Sequence, residues 1–240
     1  MKMSATARKF TRKVLALARL EGQHDYLERT VKLIPDLDVD ALVLVGDLAG
    51  PGAKADDYRK AFKILGQAPV PSFYVPGPRD APVEEYLREA YNIEIVFPYL
   101  HGVHGSFAFA PGHVVIAGMG GEIVDRDQGR EEVTRLAYPA WEVEYRLKVL
   151  RELKDYQKVF LFARMPAHKG LHEAGSEELA ELVKTHNPRL VVAYDPGFTG
   201  SVLKHEWLGK SLVVAPGSLA EGDFTVVDLH EAKIETGNVR

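Results

Sequence analysis

One carboxylate stands where a buried strand would deliver it to the rim of a sheet. Ala41-Leu42-Val43-Leu44-Val45 is a continuous apolar run, and Gly46-Asp47 ends it. That is the pattern of a strand covered on both faces that passes its last polar residue to a loop. Three later runs end in matching form: Tyr74-Val75-Pro76-Gly77-Pro78-Arg79-Asp80, Phe160-Leu161-Phe162-Ala163-Arg164-Met165-Pro166, and Leu212-Val213-Val214-Ala215-Pro216-Gly217-Ser218-Leu219. An earlier run leads into Ala18-Arg19-Leu20-Glu21-Gly22-Gln23. Open α/β sheets place ligands beyond the carboxyl ends of their strands. Glu21 and Asp47 are of the type that binds hard divalent cations, and Arg19 and Arg79 of the type that binds carboxylates or phosphates.

These segments depend on the elements that carry them. Val14 to Ala18 reads as a first buried strand. A helix follows with Leu27, Val31 and Ile34 at helical spacing and Pro35 to stop it. Strands are predicted at 41–45 and 72–75, a helix at 54–65 between them, a helix at 82–91 and a strand at 93–97. This alternation implies a mostly parallel sheet with right-handed crossovers. Residues 105–110 and 113–118 read as a hairpin around a Pro-Gly turn. Leu136, Ala140, Val143, Leu147 and Leu150 stripe a helix predicted over 139–154. Strand, helix and strand recur at 158–163, 177–186 and 189–193, and the end is all β at 211–215, 224–229 and 233–235. No internal repeat divides the chain. The expectation is an N-terminal arm over 1–12 and one domain over 13–240, an α/β four-layer αββα sandwich.

Composition sets limits on function. The 240 residues suffice for one large domain. With 46% hydrophobic and 27% charged residues the chain reads as an ordinary soluble domain. A net charge of -4 argues against nucleic acid as the main partner. The absence of cysteine removes disulfides, thiolate metal sites and a cysteine nucleophile. It suits a reducing cytoplasm, the expected location. Apolar runs are strand-sized, so no membrane span is expected. The first 20 residues hold no acid and six basic residues, faintly like a transit peptide; a solvated arm is the simpler reading.

Together and in this order, the motifs resemble those of the calcineurin-like metallophosphoesterases, from about Lys13 to Glu235. The resemblance implies two divalent ions that clamp a phosphate and activate a bridging water. The family's pattern is Asp-x-His, Gly-Asp, Gly-Asn-His, a lone His, and Gly-His-x-His. Set onto it, this sequence keeps Asp47 as the aspartate that bridges the metals, the one family ligand of unchanged type. Arg19 stands in place of the first Asp and Glu21 in place of the His. Pro78 replaces the Asn, and Arg79 replaces the catalytic His that protonates the leaving group. Ala163 or Arg164 takes the place of the next His. Ala193-Tyr194-Asp195-Pro196-Gly197 carries no His, and Ala215-Pro216-Gly217-Ser218 resembles the family's Asn-Pro-Gly-Ser. The chain looks like a branch with similarly altered motifs found in thermophilic bacteria.

Each residue has a plainer role to set beside a ligand role. Arg19 either pairs with Asp47, replacing the metal's charge, or faces solvent. Glu21 is a replacement ligand or a charge at a helix start. Asp80, two residues before Pro82, reads as a helix N-cap, and Asp195 as a turn residue. Gly118-Met119-Gly120-Gly121-Glu122 offers amides to a phosphate, or is a tight loop that needs glycine. His168 and His172, His101 and His104, and His205 read more simply as turn or surface residues than as a rearranged metal site.

Three functions remain. The first is a degenerate family member that binds, regulates or scaffolds, with no cofactor and a small phosphorylated or anionic ligand. The second is an active phosphodiester or phosphomonoester hydrolase, using Mn²⁺ or Mg²⁺ around Asp47. The third is an interaction protein with no cleft ligand. Homo-oligomerisation is left open by the sequence.

Overall fold

The computed structural model describes residues 10–50, 52–124, 126–194 and 203–240. The chain runs β1 (Lys13–Ala18), α1 (His24–Leu37), β2 (Ala41–Val45), α2 (Ala55–Gly66), β3 (Ser72–Val75), α3 (Val83–Glu94) and β4 (Leu100–Gly102). Then come β5 (Ser106–Ala110), β6 (Val114–Met119), β7 (Glu122–Val124), β8 (Ala137–Pro139) and α4 (Ala140–Leu147). The rest is β9 (Gln157–Phe162), α5 (Glu177–His186), β10 (Leu190–Ala193), β11 (Lys204–Leu208), β12 (Ser211–Ala215), β13 (Asp223–Asp228) and β14 (Ile234–Asn238).

Two six-stranded sheets form, in the orders β14-β13-β1-β2-β3-β4 and β11-β12-β10-β9-β6-β5, with a small β7-β8 pair beside them. In the first, β1 to β4 are parallel and β13 joins β1 antiparallel. In the second, β6, β9, β10 and β12 are parallel and the edge strands β5 and β11 antiparallel.

Strand alternation sorts the apolar residues into three layers. Val14, Ala16, Val43, Val45 and Phe73 meet Ile116, Val159, Leu161 and Val192 between the sheets. Leu15, Leu17, Leu44 and Tyr74 face outward onto Leu27, Ile34, Phe62 and Tyr86 of α1, α2 and α3. Val115, Phe160, Phe162 and Val191 face outward onto Val143, Leu147, Leu179 and Val183 of α4 and α5. The mixed α/β fold expected from the sequence is therefore present, as two sheets with helices outside.

Four local readings are corrected. Pro35 lies inside α1, which runs on to Leu37 and ends at Asp38 with φ 51°. The residues expected as a strand at 93–97 are the end of α3 and the turn after it. Ile93 continues the buried stripe of Tyr86 and Ala90, and the strand comes later as β4. The helix of 139–154 is α4 followed by a short 3₁₀ turn at Lys148–Arg151. The last residues of the expected arm are docked: Thr11 donates its N–H to Pro111 at 2.9 Å, and Arg12 reaches Asp228 at 2.7 Å.

Candidate functional site

The loops after β1, β2 and β3 converge at one sheet edge, and backbone bonds fix them there. Arg19 donates its N–H to Val45 and Glu21 to Asp47, each at 3.0 Å, and Gly22 donates to Leu48. Arg19 and Glu21 both lie in the left-handed region, at φ 55° and 48°. Non-glycine residues seldom hold that conformation without compensation. Here both side chains are turned toward the next two loops.

A cluster of alternating charges results. Arg79 donates from Nε to Asp47 Oδ2 at 2.6 Å and from its backbone N–H to Asp47 Oδ1 at 2.9 Å. Its Nη2 donates to Glu21 Oε1 at 2.7 Å. The same Glu21 oxygen accepts from Arg19, at 3.1 Å from Nε and 3.0 Å from Nη2. Asp47 is fully buried, whereas the Arg79 side chain is 37% exposed. The expected Arg19–Asp47 pair is therefore relayed: Arg79 neutralises Asp47, and Arg19 completes the chain through Glu21. Glycine makes this possible, because a Cβ on Gly77 would sit 2.1 Å from Asp47 Oδ1.

Asp80 is not a helix cap. Its fully buried carboxylate accepts N–H groups from Leu48, Ala49 and Gly77 at 2.8–3.1 Å. It staples the β2 loop to the β3 loop, while α3 starts at Pro82 with no side-chain cap. Burial, with the nearby Asp47 charge, pushes Asp80 up to about 7 against the pull of those amides.

The glycine loop has no amide left for an anion. Gly120 donates to His104 Nδ1 at 3.0 Å, Gly121 to Pro76 at 2.9 Å and Glu122 to Leu136 at 2.8 Å. A Cβ on Gly120 would meet the Pro76 carbonyl oxygen at 2.2 Å. The loop is thus a packing device that backs the β3 loop. The Glu122 side chain pairs with Arg135 at 3.0 Å, and Arg164 approaches it at 4.0 Å. Since His104 accepts at Nδ1, its neutral proton sits on Nε2. Burial and the charges of Arg146 and Arg130 lower it to about 4.

The remaining histidines do not assemble. His168 and His172 face each other through backbone bonds in a turn. His101 stacks on Phe73, and His205 is exposed on β11. Asp195 lies outside the described residues. Sequence reading gave no role to Tyr194, which follows β10 at the same edge. Its buried hydroxyl lies beside Asp47, and burial first, then the charges of Asp47 and Asp80, raise it. Its place just past a buried strand was the available signal.

These residues do not fit the two-metal centre that the sequence resemblance implies. Each ion needs several oxygen or imidazole ligands. Among the described residues no three His, Cys, Asp or Glu side chains are grouped to hold one. Glu21 and Asp47 already share the guanidinium of Arg79.

The family model described as metallophosphoesterase, calcineurin superfamily, matches residues 3–239. Among solved structures the chain is similar to TT1561 of Thermus thermophilus, at 52% identity and a TM-score of 0.91, covering 96% of this chain and 100% of that one. It shares its fold with a novel archaeal phosphodiesterase at 9% identity, TM-score 0.53, covering 95% and 99%. It also shares it with GAP50, the anchor in the inner membrane complex of Plasmodium, at 12% identity, TM-score 0.54, covering 96% and 89%. No curated protein matches the chain.

Proposed function

The chain belongs to the calcineurin superfamily of metallophosphoesterases, and from that membership we propose that it works as a binding protein rather than as a metal-dependent hydrolase. The observation that carries this reading is Arg79, held between Asp47 at 2.6 Å and Glu21 at 2.7 Å. A divalent ion in that place would compete for the same oxygen lone pairs, and it would bring two charges into a cluster that two carboxylates and two guanidiniums already balance. Without the ions, the family's bridging water and phosphate clamp have no basis. Arg79 also stands where the family has its proton donor, and a guanidinium does not release a proton in the working pH range.

The ligand class that suits the site is a small anion. A guanidinium carries five N–H donors in a fixed fork. Arg79 spends Nε and one Nη2 hydrogen inside the cluster, and its side chain remains 37% exposed. A phosphate or carboxylate group meets that fork by charge-assisted hydrogen bonds.

Thermal unfolding tests the reading, with Mn²⁺ and inorganic phosphate titrated separately into chelator-stripped protein. Phosphate raises the midpoint and Mn²⁺ leaves it unchanged, since only a ligand of the folded state stabilises it. Stoichiometric Mn²⁺ retained through dialysis, together with turnover of a phosphodiester, would overturn it.

A further inference from the structure

We propose that the outer face of α3 is the contact surface of a two-fold homodimer. Leu87, Tyr91 and Ile95 recur every four residues, so they stand on one face of the helix, and Val96 and Tyr99 continue the patch past its end. All five are between 48% and 69% exposed. Together they leave on the order of 600 Å² of side chain in water. That is the upper end for a monomer's largest patch, and most of the ~800 Å² per partner that a standard interface buries.

The order of the stripe selects the occupant. Tyr91 lies midway between Leu87 and Ile95. A two-fold axis beside Tyr91 therefore sets Tyr91 against Tyr91 of the second copy, and Leu87 level with Ile95 of the second copy. An isologous contact needs this self-matching order, and antiparallel helices also bring opposite dipole ends together. The surroundings agree. Exposed Glu84 and Arg88 flank the stripe, and Lys60 and Lys63 are exposed on neighbouring α2. Charges of both signs suit a protein rim, whereas a membrane-surface helix carries a basic polar face. The patch is also preorganised. Phe97 fills the space over Gly66, and Tyr99 accepts the N–H of Ser72 at 2.8 Å, which ties the segment after the helix to α2 and β3. Rigid apolar surface loses little freedom on docking.

A second exposed stripe, Trp141 and Tyr145 on α4 with Val149 in the 3₁₀ turn after it, lies on the side of the other sheet and serves as the control. The experiment is molar mass by light scattering during size exclusion at micromolar concentration, for the full chain and two variants. The expected result is twice the chain mass for the wild type and for Tyr145→Glu, and a halved mass for Tyr91→Glu with unchanged circular dichroism. A monomeric wild type overturns the proposal. So does a Tyr91→Glu protein that stays dimeric, or dissociation caused by Tyr145→Glu instead.

Discussion

The two partners of the Asp47–Arg79 pair are unequal, because Asp47 is sealed from water and Arg79 is not. Removing the Arg79 side chain leaves a buried carboxylate without its cation, though still accepting the backbone N–H of residue 79. Removing the carboxylate's charge leaves a guanidinium that water can reach. Arg79→Ala is therefore expected to cost about 2–4 kcal/mol, and Asp47→Asn, which keeps an acceptor for the Arg79 N–H, about 1 kcal/mol. Urea unfolding at neutral pH measures both, and equal costs would refute the asymmetry. Arg79→Ala also uncovers Glu21 and Asp47, so Mn²⁺ should raise the melting midpoint of that variant alone. Asp47 was legible in the sequence from its place after an apolar run. Its partner was not. Arg19 and Arg79 are equivalent in a string of letters, and only the left-handed backbone at 19 and 21 decides which guanidinium reaches which carboxylate.

At the scale of elements, the loops hold together through backbone-to-carboxylate bonds and missing Cβ atoms rather than through caps. Gly77→Ala drives a methyl into the carboxylate of Asp47 and should cost about 2–4 kcal/mol. Gly129→Ala, where nothing lies within 4 Å, should stay within about 0.5 kcal/mol of the wild type. Chemical unfolding of the two variants side by side checks the contrast, and a mild Gly77→Ala would mean that the β2 and β3 loops are looser than drawn. The buried strands β1, β2, β9 and β10 could be read from the sequence, since each is one continuous apolar run. The three-residue strands β7 and β8 could not be, because so short a run carries no period. Asp80 was misread for a related reason. Asp and Pro spaced as at a helix start describe local chemistry, and the amides of Leu48, Ala49 and Gly77 that claim the carboxylate come from a different loop or from three residues upstream.

For the whole molecule, two buried groups tilt stability in opposite directions. Folding holds His104 down at about 4, so between about 6.5 and 4 the unfolded chain takes up a proton that the folded one refuses, and stability falls with pH. Folding holds Asp80 up at about 7, so over nearly the same range the folded chain keeps a proton that the unfolded one gives up. That contribution is fully present below about 3.9 and is lost as pH rises through about 7. The slopes, each about 1.4 kcal/mol per pH unit, largely cancel. The wild type should therefore change less between pH 5 and 6.5 than His104 alone would dictate, while His101 and His186, which burial also lowers, add to the loss on acidification. His104→Asn, which keeps an acceptor for Gly120, should gain stability relative to the wild type on acidification from pH 7 to 5, by up to about 2 kcal/mol. Denaturant midpoints across that range decide it, and a His104→Asn profile parallel to the wild type's would dismiss the compensation.

On the proposed reading, an ion between Glu21 and Asp47 would have been a visitor, bound to most chains only while its free concentration exceeds its dissociation constant. A guanidinium bonded through its own side chain to the β3 loop cannot be diluted away, stripped by a chelator or exchanged for the wrong metal. The cost of drying charged groups also falls as temperature rises, so the Glu21–Arg79–Asp47 linkage costs less to keep dry in heat. On the proposed reading the chain carries its cation in its covalent structure, and its readiness to bind is set when it is translated, not by the metal supply around it.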